Sequence, residues 1–296
     1  MAGRYAPSPT GQLHLGNLRT ALVAERLARS TGREFWLRFE DLDVERLHAA
    51  GNTWRAQLDE LRAVGVEFDG EPIWQSQRLD VYAEAAERLK DRLYECFCTR
   101  KEIAQAASAP HGDGFRPYPG TCLHLSEAQQ AAKRALRPPA WRIRADRERM
   151  SVTDIWAGKV SEVVDDFVVR RNDGTWAYNF ACVVDDWLTG VDQVCRGADL
   201  LSSAPRQAWL TRLLGGTPPQ YAHVPLLLNA QGERLSKRDG AVTLEDLAAQ
   251  GVGAVEVRER LIESLEDFAG AQALFVRRSA SGPSSLDPRP TVEDDG

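Results

Sequence analysis

The sequence predicts an α/β protein built on a doubly wound parallel sheet, with an inserted α+β region and a short helical segment near the C-terminus. Three observations support this prediction. The first forty residues read as strand, helix and strand, which is the order of a parallel crossover unit. Apolar patterning of the same kind returns in the second half of the chain. Between the halves lies a stretch rich in cysteine, proline and glycine, which indicates an insertion.

Composition excludes several classes of protein. The chain has 296 residues, of which 43% are hydrophobic and 27% are charged, the usual profile of a globular protein. No apolar run approaches the length of a membrane span and the N-terminus lacks the apolar core of a secretory signal, so we expect a cytoplasmic protein that binds no membrane. The net charge of -6 disfavours non-specific binding to nucleic acid, which would need a local basic surface.

The crossover unit is predicted element by element. Residues 4–6 favour a short strand, which two following prolines end. Residues 18–29 carry apolar side chains at helical spacing, and Asn17 is the expected N-cap of this helix. Residues 34–39 alternate between apolar and polar side chains, which predicts the second strand.

The middle of the chain changes in character. Apolar stripes at helical spacing first predict helices over residues 54–64 and 82–93. The insertion then begins near residue 95 with cysteines, prolines and glycines. Strand-like runs return at residues 141–145 and 166–171, so the insertion is expected to have both helical and strand structure.

The second half predicts further strands and helices. Residues 178–187 contain a continuous apolar run that favours a buried strand, and residues 224–228 favour another. Helical patterns cover residues 205–214, 244–250 and 255–265. The order of these elements is that of a second half of a doubly wound sheet.

The elements divide the chain into five predicted units. The last of them is rich in proline, serine and aspartate, a composition typical of disorder. The units are the first half of the sheet domain (1–94), the inserted region (95–172), the second half of the sheet domain (173–240), a short helical segment (241–270) and a tail (271–296).

The loop before the first helix has features of a phosphate site. Gly16 would allow a base or ribose to lie against the backbone, where a side chain would collide. The helix N-terminus at Asn17 supplies free N–H groups and a partial positive charge near phosphates. His14 could donate a hydrogen bond to a phosphate on which charge develops. So short a pattern also fits an ordinary structural loop.

A lysine follows the last predicted strand of the sheet. Only five of the 37 basic residues are lysines, and one of them is Lys237, in the loop of residues 232–240. A flexible ammonium group there can pair with a polyphosphate and stabilise transition-state charge, although Lys237 alone also fits a solvated turn. Ligands bind parallel sheets outside the carboxyl ends of the strands, so the two loops together favour an ATP site.

Five motifs stand in a defined order along the chain. They are Arg-Tyr-Ala-Pro-Ser-Pro-Thr-Gly (4–11) with His-Leu-Gly-Asn (14–17), Phe-Glu-Asp-Leu-Asp (39–43), Tyr-Asn-Phe (178–180), Cys-Arg-Gly-Ala-Asp (195–199) and Arg-Leu-Ser-Lys-Arg (234–238). Together they resemble the glutamate-specific class I aminoacyl-tRNA synthetases, with a HIGH-type signature first and a KMSKS-type loop last. The resemblance implies a Rossmann-type fold and activation of an amino acid by ATP with Mg²⁺. Asn17 departs from the second histidine of many members, and Leu235 from their methionine.

The resemblance also implies a glutamate pocket. Glutamate needs cations for two carboxylates and an anion for its ammonium group. Arg4 and Arg196 can bind carboxylates in bidentate fashion, Tyr178 can add a hydroxyl donor, and Glu40 can hold the ammonium group. The residues assigned by resemblance are Arg4, Tyr5, Ala6, Pro7, Ser8, Glu40, Tyr178 and Arg196 for glutamate, His14, Gly16, Asn17 and Lys237 for ATP, and His14 and Lys237 for catalysis.

Three cysteines of the insertion indicate a metal site. Cys96, Cys98 and Cys122 can supply three thiolates to one structural zinc ion, which takes one further donor. By residue type alone, His111 or His124 is the more conventional fourth ligand. Reduced cysteines without a metal also fit the spacing, because Cys-x-Cys is shorter than the usual hook.

A second resemblance bears on the fourth ligand. The segment Tyr-Pro-Gly-Thr-Cys at 118–122 is similar to a zinc segment in a shortened relative of glutamyl-tRNA synthetase, in which the tyrosine is the ligand. This resemblance implies Tyr118 as the fourth ligand. Cys182 and Cys195 lie in apolar segments and are expected to be plain core residues.

Length distinguishes members of the family. After residue 240 only the segment to about 268 is expected to be structured, so we expect the helical anticodon-binding region of standard glutamyl-tRNA synthetases to be absent. This architecture resembles the shortened branch of the family, whose members transfer glutamate to the queuosine base in the anticodon of tRNA(Asp). The resemblance implies ATP, L-glutamate and the anticodon arm of a queuosine-bearing tRNA(Asp) as partners, and we expect a monomer.

Three alternatives remain open at this stage. The first is an enzyme of the same chemistry that charges the 3′ end of tRNA(Glu), which the missing region disfavours. The second is a ligase that joins glutamate to another hydroxyl or amine. The third is a catalytically silent binding protein on the same fold, which the intact signatures disfavour.

Overall fold

The computed structural model has an α/β architecture. It describes residues 1–51, 53–99, 101–103, 118–227, 242–265, 268 and 274. The strands are β1 (Ala2–Tyr5), β2 (Glu34–Phe39), β3 (Ile73–Trp74), β4 (Leu93–Cys96), β5 (Ala140–Ile143), β6 (Arg149–Asp154), β7 (Gly158–Val163), β8 (Phe167–Arg170), β9 (Val191–Gly197) and β10 (Gln220–Val224).

The helices alternate with the strands along most of the chain. They are α1 (Leu15–Ser30), α2 (Val44–Ala50), α3 (Trp54–Ala63), α4 (Leu79–Arg88), α5 (Glu127–Arg134), α6 (Tyr178–Leu188), α7 (Ala204–Leu213), α8 (Leu244–Ala248) and α9 (Ala254–Glu263). Within the described residues, no helix is both long and apolar enough to cross a membrane.

The central sheet confirms the predicted fold class. Its order is β3-β2-β1-β9-β10-β6-β7, and its strands are parallel except at the β6–β7 hairpin. α1, α3 and α9 cover one face, while α4, α6 and α7 cover the other. Each face has its own apolar core, so the sheet is doubly wound. The strand order reverses between β1 and β9, the place where such sheets bind ligands.

The inserted region contributes to two sheets. β4, β5 and β8 form a separate antiparallel sheet, as the strand-like runs near residues 141 and 166 predicted. β6 and β7 instead extend the central sheet beside β10. The small sheet supports a third apolar cluster that contains Cys96, Phe97, Tyr118 and Cys122. The boundaries of the five predicted units stay a prediction.

One predicted strand is wrong, because residues 178–187 form helix α6. The apolar run within it is buried, and a short buried run does not by itself distinguish a strand from a helix. The ends of two other predicted elements also differ from the structure. β10 ends at Val224, where the predicted strand begins, and α4 ends at Arg88, so that Leu93 begins β4 instead of closing a helix.

The first helix begins three residues earlier than predicted. Its N-cap is His14, so the prediction of Asn17 as N-cap is wrong. The predicted helices near residues 54, 205, 244 and 255 are confirmed as α3, α7, α8 and α9. The predicted tail of residues 271–296 lies outside the described residues except for Leu274.

Candidate active site

A cavity of about 620 Å³ opens at the carboxyl ends of β1 and β9. Every residue assigned to glutamate lines it, and so do His14, Gly16 and Asn17. The structure therefore brings together side chains that lie as far apart in the sequence as Arg4 and Arg196. Lys237 and the rest of the KMSKS-type loop at 234–238 lie outside the described residues.

Helix α3 and its N-cap residue Thr53 hold the loop that follows β1. Gln57 Nε2 donates to the carbonyl oxygens of Ser8 at 3.1 Å and Gly11 at 2.6 Å. Thr53 Oγ1 donates to the carbonyl oxygen of Pro9 at 2.6 Å. Neither side chain could be identified from the sequence, because their partners are backbone atoms more than forty residues away. These hydrogen bonds fix one wall of the cavity.

His14 and Asn17 cap the first turn of α1 reciprocally. The His14 Nδ1 atom accepts the Asn17 backbone N–H, and Asn17 Oδ1 accepts the His14 backbone N–H, both at 3.3 Å. Because Nδ1 accepts a hydrogen bond, the neutral imidazole carries its proton on Nε2. His14 therefore has an N–H donor on the ring edge opposite its cap.

Gly16 gives the imidazole its space. A Cβ atom at this position would lie 3.0 Å from His14 Cε1 and 3.1 Å from His14 Nδ1. The glycine was predicted to allow close approach of a nucleotide. The contact with His14 is an additional reason for glycine here, because any side chain would press on the imidazole ring.

Arg4 lies buried on β1 and forms a two-point ion pair. Its Nε and Nη2 atoms donate to the two carboxylate oxygens of Asp186 at 3.2 and 3.4 Å. Arg38, which is also buried, donates to the same carboxylate. Burial opposes ionisation of Asp186, but Arg38 and Arg4 outweigh it and hold the pKa of this carboxyl below its ordinary value. Asp186 thus fixes the guanidinium of Arg4 at the cavity wall.

Glu40 is held by two buried neighbours. Arg38 Nη2 donates to Glu40 Oε1 at 3.2 Å, and the Cys182 thiol donates to the same oxygen. Burial raises the pKa of Cys182, so its thiol keeps its proton. Cys182 is a buried residue as predicted, but it also contacts the carboxylate that was assigned to the substrate ammonium group.

Arg196 projects from β9 and is anchored by three hydrogen bonds. Nε donates to His223 Nε2 at 3.0 Å, Nη1 to Gln207 Oε1 at 2.7 Å and Nη2 to the Leu200 carbonyl oxygen at 3.1 Å. His223 in turn contacts Asp154 through Nδ1 at 2.7 Å. Within the part of the chain that the structure describes, three of the five guanidinium N–H groups are used in this way, which leaves two for a ligand.

Two tyrosines complete the cavity. Tyr178 begins helix α6 and is 38% exposed. Desolvation of its hydroxyl, with Cys182 and Glu40 nearby, raises its pKa, so it is a neutral hydrogen-bond donor at physiological pH. Tyr5 is buried, and its hydroxyl donates to the backbone carbonyl of Asn17 at 3.3 Å. Tyr178 is thus available to a ligand, whereas Tyr5 joins β1 to α1.

A candidate metal centre lies on the small sheet. The sulfur atoms of Cys96, Cys98 and Cys122 lie within 4.8 Å of one another, a separation that one ion can bridge. Among the described residues His124 is exposed and stands outside this cluster. His111 lies outside the described residues.

Tyr118 is the oxygen-bearing neighbour of the cysteines. Its hydroxyl lies 3.4 Å from Cys96 Sγ and 3.9 Å from Cys98 Sγ, and it accepts the Cys122 backbone N–H at 2.8 Å. The guanidinium of Arg142 lies 3.8 Å from the centre of the Tyr118 ring. Burial opposes ionisation of Cys96, but Arg142 together with hydrogen bonds from Tyr118 and the Cys98 backbone lowers the pKa of that thiol.

The comparisons identify the family. The model of the catalytic domain of class I tRNA synthetases (E and Q) matches residues 1–270, which is most of the chain. The chain belongs to this family. The matched residues are those of the family's catalytic domain. They include the mostly parallel sheet, the HIGH-type loop at the start of α1 and the cavity between β1 and β9.

Relatives within the family cover nearly the whole chain. It is 54% identical over 267 residues to glutamyl-Q tRNA(Asp) synthetase of Nocardia farcinica, covering 89% of this chain and 84% of that protein. It is 49% identical over 297 residues to the protein of the same name from Cutibacterium acnes, covering 98% of this chain and 85% of that protein.

Solved structures of the family extend further than this chain. The glutamate-tRNA synthetase of Elizabethkingia anophelis matches with a TM-score of 0.66 and 30% sequence identity. The match covers 80% of this chain and 52% of that one. The chain thus spans about half the length of that synthetase.

Proposed function

We propose that the protein activates L-glutamate with ATP and transfers the glutamyl group to the queuosine base in the anticodon of tRNA(Asp). One observation carries the proposal: Arg4, Arg196 and Glu40 line the same cavity as the His14 loop. Two buried cations and one carboxylate match the charges of glutamate, and the adjoining helix N-terminus suits phosphates. The relatives named glutamyl-Q tRNA(Asp) synthetase support the acceptor.

Binding of glutamate relies on fixed charges. Arg4 is oriented by Asp186, and Arg196 by His223, Gln207 and Leu200, so both guanidinium groups meet the substrate carboxylates without rearrangement. Glu40 pairs with the substrate ammonium group, and Tyr178 adds a hydroxyl donor. The backbone of residues 6–8 forms the adjoining wall of the cavity.

In the first step the glutamate α-carboxylate attacks the α-phosphorus of ATP. The bond to pyrophosphate breaks and glutamyl-adenylate forms. His14 donates from Nε2 to a phosphate oxygen, and the N–H groups at the start of α1 add positive potential. Lys237 pairs with the departing phosphates, and Mg²⁺ bound with ATP would offset their charge.

In the second step a hydroxyl of the queuosine cyclopentenediol attacks the carbonyl carbon of the adenylate. The ester bond forms, the mixed anhydride bond breaks and AMP leaves. The activated intermediate supplies the leaving group, so no protein nucleophile is required. The proposal includes a monomeric enzyme of the cytoplasm, where ATP and tRNA are available.

The cysteine cluster is proposed to hold one structural zinc ion. Cys96, Cys98 and Cys122 supply three sulfurs at bridging separation, and Tyr118 supplies an oxygen close to two of them. This donor set fits a closed tetrahedral site without an open position for a substrate. Zinc would join the segment around residue 120 to β4 and so stabilise the small sheet.

Glutamate-dependent exchange of pyrophosphate into ATP tests the activation step. The enzyme is incubated with ATP, labelled pyrophosphate and glutamate, glutamine or aspartate, without tRNA. The charges of the cavity predict exchange with glutamate and at least about tenfold less with glutamine, which lacks one carboxylate. Equal exchange with glutamine and glutamate would overturn the assignment of Arg4 and Arg196 to two carboxylates.

A further inference from the structure

Arg196 is the outer end of a buried row of hydrogen bonds that crosses three strands. Arg196 on β9 stands opposite His223 on β10 in the parallel register, and Asp154 ends β6 on the far side of β10. The two links of the row measure 3.0 Å from Arg196 Nε to His223 Nε2 and 2.7 Å from His223 Nδ1 to Asp154 Oδ2. His223 and Asp154 expose only 3% and 2% of their surface.

The row fixes the protonation state of His223. An arginine Nε can only donate, so His223 Nε2 must accept. The ring proton therefore lies on Nδ1 and is donated to Asp154. The other Asp154 oxygen accepts the backbone N–H groups of Trp156 at 3.0 Å and Ala157 at 2.8 Å. The carboxylate is thus held from both sides, and it holds the imidazole.

We propose that Asp154 and His223 are positioning residues that present Arg196 to a glutamate carboxylate, and that they do so only while His223 is neutral. A second proton on His223 would lie on Nε2 and face the N–H group of Arg196 Nε. The hydrogen bond between the two side chains would be lost, and two cations would then face each other. This inference rests on the proposed role of Arg196 in glutamate binding.

The surroundings of His223 set the direction of its pH response. Burial, Arg196 and Arg4 disfavour the imidazolium ion, Asp154 favours it, and the net effect lowers the pKa of His223 from its ordinary value. Burial keeps Tyr221 and Cys195 in their neutral forms. The titratable neighbours are Asp154 on β6, Arg196 and Cys195 on β9, Arg4 on β1 and Tyr221 on β10.

The sign of the effect on the reaction follows from this direction. The neutral form of His223 is fully populated above the ordinary histidine pKa of about 6.5 and is lost as the pH falls through the lower folded value. The KM for glutamate therefore rises on the acid side of that value. The KM for ATP does not follow the same curve, because the row does not reach the His14 loop.

Two substitutions of His223 separate positioning from mere packing. His223→Leu removes the acceptor for Arg196, while His223→Gln keeps an acceptor and a donor but has no proton to gain. Glutamate-dependent pyrophosphate exchange is measured for the full chain from about pH 5 to 9. His223→Leu is expected to raise the KM for glutamate about tenfold at pH 8 with a smaller change in kcat. His223→Gln is expected to restore most of this loss and to abolish the acid rise in KM.

Two results of these assays would overturn the proposal. One is an unchanged KM for glutamate in His223→Leu, and the other is an acid rise in KM that persists in His223→Gln. Asp154→Asn provides a further comparison, because it weakens the preference of His223 for the Nδ1–H tautomer without changing a residue that contacts Arg196. It is expected to raise the KM for glutamate and leave the KM for ATP within about twofold.

Nitrogen NMR of the ligand-free protein tests the row without any assay of activity. The chain has five histidines, so the imidazole signals that vanish in His223→Gln identify this residue. At pH 8 they are expected to show an Nδ1–H tautomer, and an Nε2–H tautomer or a cation would contradict the proposal. If the wild-type protein shows no glutamate-dependent exchange but has this tautomer, the proposed function fails while the row itself stands.

Discussion

His14 and Asn17 exchange hydrogen bonds between their side chains and each other's backbone N–H groups. Many members of the family have a second histidine where this chain has Asn17, and here that residue serves the helix cap. Because His14 Nδ1 accepts a hydrogen bond in this cap, Nε2 is the ring nitrogen that carries the proton. The proposed chemistry of the phosphate site therefore depends on the orientation of one imidazole, which contacts Gly16 and Asn17.

Substitution of Gly16 by alanine is predicted to displace this imidazole. The new Cβ would lie 3.0 Å from the ring, closer than side chains tolerate without a shift. We expect glutamate-dependent pyrophosphate exchange to fall at least about tenfold, with the thermal unfolding temperature little changed. Gly253→Ala is the matched control, since nothing lies within 4 Å of its added Cβ. Equal rates in the two variants would contradict the role of Gly16.

Asp186→Asn is predicted to destabilise the fold. The change leaves Arg4 and Arg38 buried with less negative charge, which costs about 3 kcal/mol of unfolding free energy, measured in urea. Asp192→Asn breaks the more exposed pair with Arg33 and should cost about 1 kcal/mol or less. Similar losses in both variants would argue against the central role of Asp186.

The contribution of Asp186 to the free energy of unfolding should also depend on pH. Its pKa is lower in the folded protein than in the unfolded chain, so its stabilising effect is present above about pH 4 and is lost as the pH falls through the folded value. The difference in unfolding free energy between the wild type and Asp186→Asn should therefore narrow toward pH 3. A constant difference from pH 7 to pH 3 would show that the carboxylate charge is not the cause.

Lys237→Ala is predicted to impair adenylate formation. The lysine is proposed to stabilise negative charge on the departing phosphates, a role whose loss typically lowers the rate about 100-fold or more. Lys159→Ala removes an exposed lysine on β7 and serves as the control. Pyrophosphate exchange and glutamate affinity are measured together. Near-normal exchange in Lys237→Ala would remove this residue from the mechanism.

If the cysteine cluster holds zinc, substitutions of its residues should weaken zinc binding to different degrees. The wild-type protein should contain about one zinc ion per chain by elemental analysis, and Cys122→Ser should lose most of it. Tyr118→Phe should bind zinc about tenfold more weakly, measured by competition with a chelator. His124→Ala should keep wild-type affinity. Loss of zinc in His124→Ala but not in Tyr118→Phe would reverse the assignment of the fourth ligand.

The parts of the fold that follow local periodicity could be predicted from the sequence. Strand β2 and helices α3, α7 and α9 carry regular patterns, and they form where expected. Helix α6 could not be distinguished from a strand, because its apolar run is short and buried on all sides. Two aspartates at its end, Asp185 and Asp186, are buried only because arginines from distant segments pair with them.

The candidate site, too, could be predicted from the sequence only in part. Motif residues such as Arg4 and Arg196 were named from the sequence, and the structure brings them into one cavity. Their supporting partners were missed, because a hydrogen bond such as Arg4 to Asp186 joins positions 182 residues apart. His223 gave no signal either, since a lone histidine in an apolar strand does not reveal which neighbour it will meet.

Transfer of labelled glutamate to purified tRNA tests the proposed function most directly. Queuosine-bearing tRNA(Asp), the same tRNA without queuosine and tRNA(Glu) are each assayed with and without prior periodate treatment, which destroys free diols. Label is expected only on queuosine-bearing tRNA(Asp). It should be lost after periodate treatment and should resist removal of the 3′ nucleotide. Label on tRNA(Glu), or on tRNA(Asp) without queuosine, would contradict it and indicate charging of a 3′ end.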